Sequence, residues 1–260
     1  MPFASSHGTG IYYERHGPKP GAAPAIVFVH GAGGNHLSWW QQLPHFTDRY
    51  SCIAYDQRGY GQSRDSDGGP GGAAFVNDLC AVMDDAGVER ATLVAQSLGG
   101  WACLGFTRRW PQRVERLVMC DTHGGLESPE LRALWSSTLA LAAALPDGVH
   151  PACGERMFRE EPDLHFLYVA ISELNARSHR EMLEDIRSAG PMPLAEAVHI
   201  DTPVLFIEGA DDIVILPSMI KIAAVAFPRA RLEVVPRAGH SVYFERPAEF
   251  NAILDRFLAE

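Results

Sequence analysis

Along the 260-residue chain, apolar positions gather into short β-rich runs that each close on a turn, most of them followed by a helix-like segment. The runs are "GIYYERHG", "AIVFVHG", "SCIAYDQRG", "ATLVAQS", "RLVMCDT", "PVLFIEG" and "RLEVVPRAGH". Apolar strands alternating with helical segments predict an α/β class, with a mostly parallel central sheet flanked by helices. Most runs end in Gly, Ser, Asp or His, so polar groups collect past the carboxyl ends of the strands, where open α/β sheets bind their ligands. The first run differs, because "PKPGAAP" joins it to the second without a helix, and this predicts an antiparallel start to the sheet. Between Thr122 and His199 the strand rhythm stops. There "SPELRALWSSTLALAAAL" and "SHREMLEDIRSAG" read as helices, the former with Ser128 as its cap and Pro129 in its first turn. Residues 122–199 are therefore expected to be an inserted helical lid on a core made of residues 1–121 and 200–260. The glycine-rich "SDGGPGGAA", Ser66 to Ala74, reads as a surface loop.

Composition narrows the function classes. A hydrophobic content of 47% with 21% charged residues suits one large globular domain. The formal charge of −10 and the absence of a basic run argue against a nucleic-acid partner. The first 25 residues lack a charged start with an apolar core, and no later stretch reaches the length of a membrane span, so a cytoplasmic protein without a membrane partner is expected. Five cysteines, with Cys52 and Cys120 inside strand-like runs, imply no disulfide framework. The eleven histidines form no zinc-binding pattern, and no metal is expected.

The chemistry centres on "VAQSLGG", Val94 to Gly100. A serine between small residues, at a tight turn from strand to helix, is forced into a strained backbone with its hydroxyl above the sheet. The N–H of Leu98, at the helix amino end, points near the same place. A serine hydroxyl needs a base to become a nucleophile. His240 in "PRAGHSVYFERP" and Asp212 in "IEGADDIVILP" lie on later loops at the same sheet edge, in the order Ser, Asp, His.

These segments resemble the α/β-hydrolase family. The matching stretches are "FVHGAGG" (Phe28 to Gly34), "YDQRGYGQS" (Tyr55 to Ser63), "AQSLGG" (Ala95 to Gly100), "IEGADDIVILP" (Ile207 to Pro217) and "AGHSVYFERP" (Ala238 to Pro247). One departure is Ala95, which stands where the family's pattern has a first glycine. The resemblance implies an α/β-hydrolase fold with a helical cap inserted between the sixth and seventh strands. It also implies Ser97 as nucleophile, His240 as base and then acid, and Asp212 as the carboxylate orienting the imidazole. The backbone N–H groups of Leu98 and Ala32 would form the oxyanion hole. Asp121, at the end of "RLVMCD", occupies an alternative acid position of the family, whereas Asp211 reads as a turn residue.

Several residues carry a plainer reading beside a functional one. His30 is expected to brace the oxyanion loop rather than react, and Asp56 and Asp65 to brace Arg58. Trp39, Trp40 and Trp101 follow the two oxyanion segments, where they either line an apolar pocket or pack the core. His36, Trp39, Trp101, His123 and Trp135 are the substrate-binding candidates, with His165, Phe166 and Tyr168 as further lid positions. The lid arginines Arg132, Arg156, Arg159, Arg177, Arg180 and Arg187 include candidates for a substrate carboxylate, although most such side chains are simply solvated. The expected activity is hydrolysis of an ester or lactone of a small, partly apolar acyl compound, through an acyl-enzyme on Ser97 and with no cofactor. The same triad also serves C–C bond hydrolases, cofactor-free haloperoxidases, hydroxynitrile lyases and cofactor-free dioxygenases, and some proteins of this fold are small-molecule receptors. The expected partner is a small-molecule substrate, and homo-oligomerisation stays open.

Overall fold

The computed structural model describes residues 2–66 and 68–260. Ten strands are present among them: β1 (Phe3–Ser6), β2 (Thr9–His16), β3 (Ala25–Val29), β4 (Ser51–Tyr55), β5 (Ala91–Gln96), β6 (Val114–Cys120), β7 (Leu126–Glu127), β8 (Met192–Pro193), β9 (Val204–Gly209) and β10 (Ala230–Val235). Eight of these form one sheet in the order β1-β2-β4-β3-β5-β6-β9-β10, and β7 pairs with β8 in a separate two-stranded ribbon. From β4 to β10 every pairing is parallel. The antiparallel start is present, with β2 pairing on one side with β1 and on the other with β4 rather than with β3. Strands β3, β4, β5 and β9 are buried at every position, which is why they read as unbroken apolar runs rather than as alternating ones.

Ten α-helices accompany the strands: α1 (Leu43–Phe46), α2 (Phe75–Asp85), α3 (Gly99–Arg109), α4 (Pro129–Ala143), α5 (Glu155–Glu160), α6 (Pro162–Glu173), α7 (His179–Ala189), α8 (Pro217–Ala224), α9 (Val242–Glu245) and α10 (Pro247–Leu258). Two apolar clusters cover the sheet. One joins α2, α3 and α8 to one face through Leu79, Val82, Phe106 and Met219, and the other joins α9 and α10 to the opposite face with Trp39 and Phe46.

Helices α4 to α7 all lie in the stretch between β6 and β9, the sixth and seventh strands of the main sheet in chain order. The first opens as its sequence suggests: the Ser128 hydroxyl accepts the N–H of Leu131 at 3.2 Å and Pro129 takes the first turn. The capping box of α7 joins Ser178 to Glu181. Within the glycine-rich run, Gly71–Ala74 forms a short 3-10 turn leading into α2, and Asp67 lies outside the described residues. Among the described residues no helix is long and apolar enough to cross a membrane.

Candidate active site

The loops after β3, β5, β6, β9 and β10 converge at the carboxyl edge of the sheet. Ser97 bridges β5 and α3 with φ of 46°, a left-handed conformation that costs a residue with a Cβ about 1 kcal/mol or more. Close packing enforces the turn. A Cβ on Gly99 would run into the carbonyl oxygen of Val29, so only glycine lets α3 approach β3 this closely. Ser97 itself stays half-buried.

His240 Nε2 lies 2.8 Å from Ser97 Oγ, and His240 Nδ1 lies 2.8 Å from Asp212 Oδ2. The imidazole and the carboxylate are both buried. Asp212 Oδ1 accepts the N–H groups of Val214 at 2.7 Å and Ile215 at 3.0 Å, which leaves Oδ2 for the imidazole. With the Nδ1 proton held by that carboxylate, Nε2 is the lone-pair nitrogen that faces the serine. Burial disfavours the imidazolium. The charge and hydrogen bond of Asp212, followed by the charges of Asp121 and Glu245, outweigh it and carry His240 above its ordinary value.

Asp121 does not bond to the imidazole. Its φ of 50° turns the carboxylate toward backbone, where Oδ1 accepts the N–H of Gly209 and Oδ2 that of Val242, both at 3.0 Å. It thus ties the strand that leads into the Asp212 loop to the segment that follows His240. Burial, and then the neighbouring charge of Asp212, push its carboxyl up to about 7.

Gly31 and Ala32 border the serine from the end of β3. A methyl on Gly31 would lie 2.8 Å from Ser97 Cβ and would overlap the Gln96 side-chain oxygen. Among the described residues neither the N–H of Ala32 nor that of Leu98 is engaged by the protein. His30 braces this loop. Its Nδ1–H donates to the Gly31 carbonyl at 2.7 Å and its Nε2 accepts the N–H of Gln57 at 2.9 Å, while burial lowers its pKa to about 4. A neutral imidazole with both nitrogens committed is structural.

The substrate-binding candidates separate. His36 is occupied elsewhere, since its Nδ1 is 2.7 Å from Asp56 Oδ1 and its ring packs edge-on against Tyr12. Trp39 is fully buried between Phe28 and Tyr243 as part of the core. Both expectations fail for one reason: the 3-10 turn His36–Trp39 directs these side chains into the molecule. Asp56 accordingly braces His36 rather than Arg58, which is held by Asp78 at 2.7 Å and Asp65 at 3.1 Å. Trp101, His123 and Trp135 do form a row, with ring centroids 5.6 and 5.8 Å apart, from the helix behind Ser97 to α4. Burial lowers the His123 pKa to about 4, and neither ring nitrogen has a hydrogen-bond partner among the described residues.

Three contributors escaped sequence reasoning. Gln96 Nε2 donates to the His240 carbonyl at 2.8 Å. His150, ahead of α5, packs its ring 5.2 Å from that of Tyr168, and the Tyr168 hydroxyl lies 3.4 Å from Ser241 Oγ. Glu245 contacts the loops on both sides of it. Only Glu245 had a local signal, as the one acid in the "HSVYFERP" stretch after the histidine.

A family model described as "Alpha/beta hydrolase family" matches residues 26–253. The chain belongs to the α/β-hydrolase family. As an α/β-hydrolase it is similar to the "Putative carbamate hydrolase RutD" of Caulobacter sp. strain K31, 29% identical over 268 residues that cover 96% of each protein. Among solved structures it resembles the enol-lactonase of Burkholderia xenovorans LB400, with 26% identity, full coverage of both chains and a TM-score of 0.81. It likewise resembles Est816, described as an N-acyl homoserine lactone degrading enzyme, with 26% identity, 98% of this chain and 100% of the other covered, and a TM-score of 0.80.

Proposed function

We propose that this α/β-hydrolase is a serine hydrolase that cleaves an ester or lactone bond of a small, partly apolar acyl compound through an acyl-enzyme on Ser97. The observation that carries the proposal is the unbroken relay Ser97 Oγ, His240, Asp212, with 2.8 Å at both joints. Ser97 Oγ bonds to the acyl carbon as His240 Nε2 takes its proton. The same nitrogen then protonates the departing alkoxide. A water next gives a proton to Nε2 as its oxygen attacks the acyl carbon, and Nε2 passes that proton to Ser97 Oγ as the acyl–oxygen bond breaks and the acid leaves. The oxyanion formed in each half-reaction is assigned to the N–H groups of Leu98 and Ala32, a contribution of about 3 kcal/mol per donor. Trp101, His123 and Trp135 are assigned to the wall of the acyl pocket, two aromatic faces around an imidazole that burial keeps neutral.

Similarity to the enol-lactonase and to Est816 favours a lactone or ester. Similarity to the carbamate hydrolase favours the second reading, a carbamate. A panel of p-nitrophenyl esters, γ-lactones, acyl homoserine lactones, alkyl carbamates and ring-cleavage diketones, assayed on one preparation, separates them. The expected result is the highest kcat/KM on an ester or lactone, abolished in Ser97→Ala. Turnover confined to the diketones, or unaffected by Ser97→Ala, would overturn the proposal.

A further inference from the structure

His240 rides on a short segment, Gly239 to Val242, whose backbone and side chains are held at every residue. Gln96 takes the carbonyl of His240, Asp121 the N–H of Val242, and the Ser241 hydroxyl donates to the carbonyl of Ala152 at 2.7 Å. The N–H of Gly239 donates to Glu245 Oε1 at 3.1 Å. The same oxygen accepts the N–H of Gly154, from the inserted helical segment, at 2.9 Å.

The junction is tight. A Cβ on Gly154 would lie 2.7 Å from Glu245 Oε2 and 2.9 Å from the Gly239 nitrogen, so the two glycines meet backbone to backbone across the carboxylate. Arg156, two residues on, donates Nη2–H to the Glu245 carbonyl at 3.0 Å and Nε–H to the Arg237 carbonyl at 2.9 Å. Residues 152 to 156 are thus bonded to the histidine loop at four points, two of them made by Glu245 and one by Ser241. Gly154, 91 positions before Glu245 in sequence, and Gly239 thus share one buried carboxylate oxygen.

The geometry points to Glu245 as a positioning residue for His240, through which the inserted segment at Ala152–Arg156 sets where the imidazole stands. This rests on His240 being the base of the proposed reaction. A carboxylate that accepts two N–H groups from separate segments fixes their separation, and its removal leaves both donors buried and unpaired. The Gly239 end then relaxes, and with it the 2.8 Å contact from Nε2 to Ser97 Oγ. The charge also acts on His240, together with those of Asp212 and Asp121. Arg156, Cys153, Tyr168 and His240 are the titratable and charged groups around Glu245 itself.

The test is kcat and KM on a p-nitrophenyl ester from pH 5 to 9 for Glu245→Gln, Glu245→Ala and His240→Ala, with fluorophosphonate labelling rates. Glu245→Ala is expected to lose about tenfold or more in kcat with KM within about twofold, because the displaced group is the base and not the pocket. Glu245→Gln keeps an acceptor oxygen and the side-chain shape, so its kcat should return to within about threefold of the parent. Its acid limb should move to lower pH, because the negative charge that favours the imidazolium is gone. Where Glu245→Ala does not fold, Gly154→Ala, whose methyl must displace the carboxylate, is expected to show the same kcat loss. Parent-like kcat in Glu245→Ala or Gly154→Ala, or equal losses in the Gln and Ala variants with an unmoved acid limb, would overturn the positioning role. Full activity in His240→Ala would instead remove the base reading on which it stands.

Discussion

Replacing Asp212 by asparagine keeps the shape of the side chain and changes one thing, the identity of the group facing the imidazole. In the parent, Oδ1 accepts two backbone N–H groups, from Val214 and Ile215, and Oδ2 faces His240 Nδ1. The amide must keep its oxygen on those two donors. The flipped orientation would set an NH2 against both, losing two hydrogen bonds and leaving buried donors unpaired, at about 1–3 kcal/mol each. The NH2 therefore points at Nδ1, which must become the acceptor, and the ring proton moves to Nε2. That nitrogen, 2.8 Å from Ser97 Oγ, can no longer take the serine proton. A wrong-tautomer triad loses about 10⁴ in kcat, or about 5.5 kcal/mol. Asp121→Asn is the control. Either amide orientation opposes one N–H, of Gly209 or Val242, so it should cost about 1–3 kcal/mol of stability and only about tenfold in rate. Steady-state ester hydrolysis and thermal melts of both variants give the comparison. If Asp212→Asn stays within about tenfold of the parent while Asp121→Asn collapses, the carboxylate assignment is wrong.

Three further outcomes follow from the same geometry. The acid limb of kcat/KM should fall above the ordinary imidazole value of about 6.5, because His240 must be neutral to act and its carboxylate neighbours raise its pKa; a limb below 6 measured by stopped-flow or steady-state kinetics would contradict this. Gly31→Ala should lower kcat by about 100-fold or more, since its methyl pushes the Ala32 donor away from Ser97, and a parent-like rate in that folded variant would exclude the oxyanion assignment. Glu208 is buried with both oxygens unpartnered among the described residues, and burial, offset in part by Lys221, pushes it up to about 7. A carboxyl raised in the folded state contributes stability below its unfolded pKa and loses it as pH climbs through about 7. Glu208→Gln should therefore flatten the fall in Tm between pH 5 and pH 8, leaving the share due to Asp121, and a Tm difference equal to the parent's would refute it.

The parallel strands β3, β4, β5 and β9 were legible because burial on both faces writes them as unbroken apolar runs. Phe3–Ser6 was not, being four mostly small residues whose pairing with β2 shows only in three dimensions. Ser97 was legible because the strained turn needs small neighbours that local sequence records. The choice between Asp212 and Asp121 was not a local matter. Both end strands beside the same histidine, and the left-handed φ at Asp121 sends its carboxylate to backbone donors instead. His36 and Trp39 misled because a place just after the oxyanion segment does not fix side-chain direction, and the 3-10 turn His36–Trp39 buries both. The contacts of Glu245 with the inserted segment join residues 89 and 91 positions apart and leave no trace in spacing.

Fluorophosphonate labelling followed by peptide mapping tests the centre of this picture, a serine made nucleophilic by His240 and Asp212. A single adduct on Ser97, formed rapidly in the parent and lost in His240→Ala, is the predicted result. Folded parent protein that carries no adduct on Ser97, or that is labelled equally fast without His240, would contradict it.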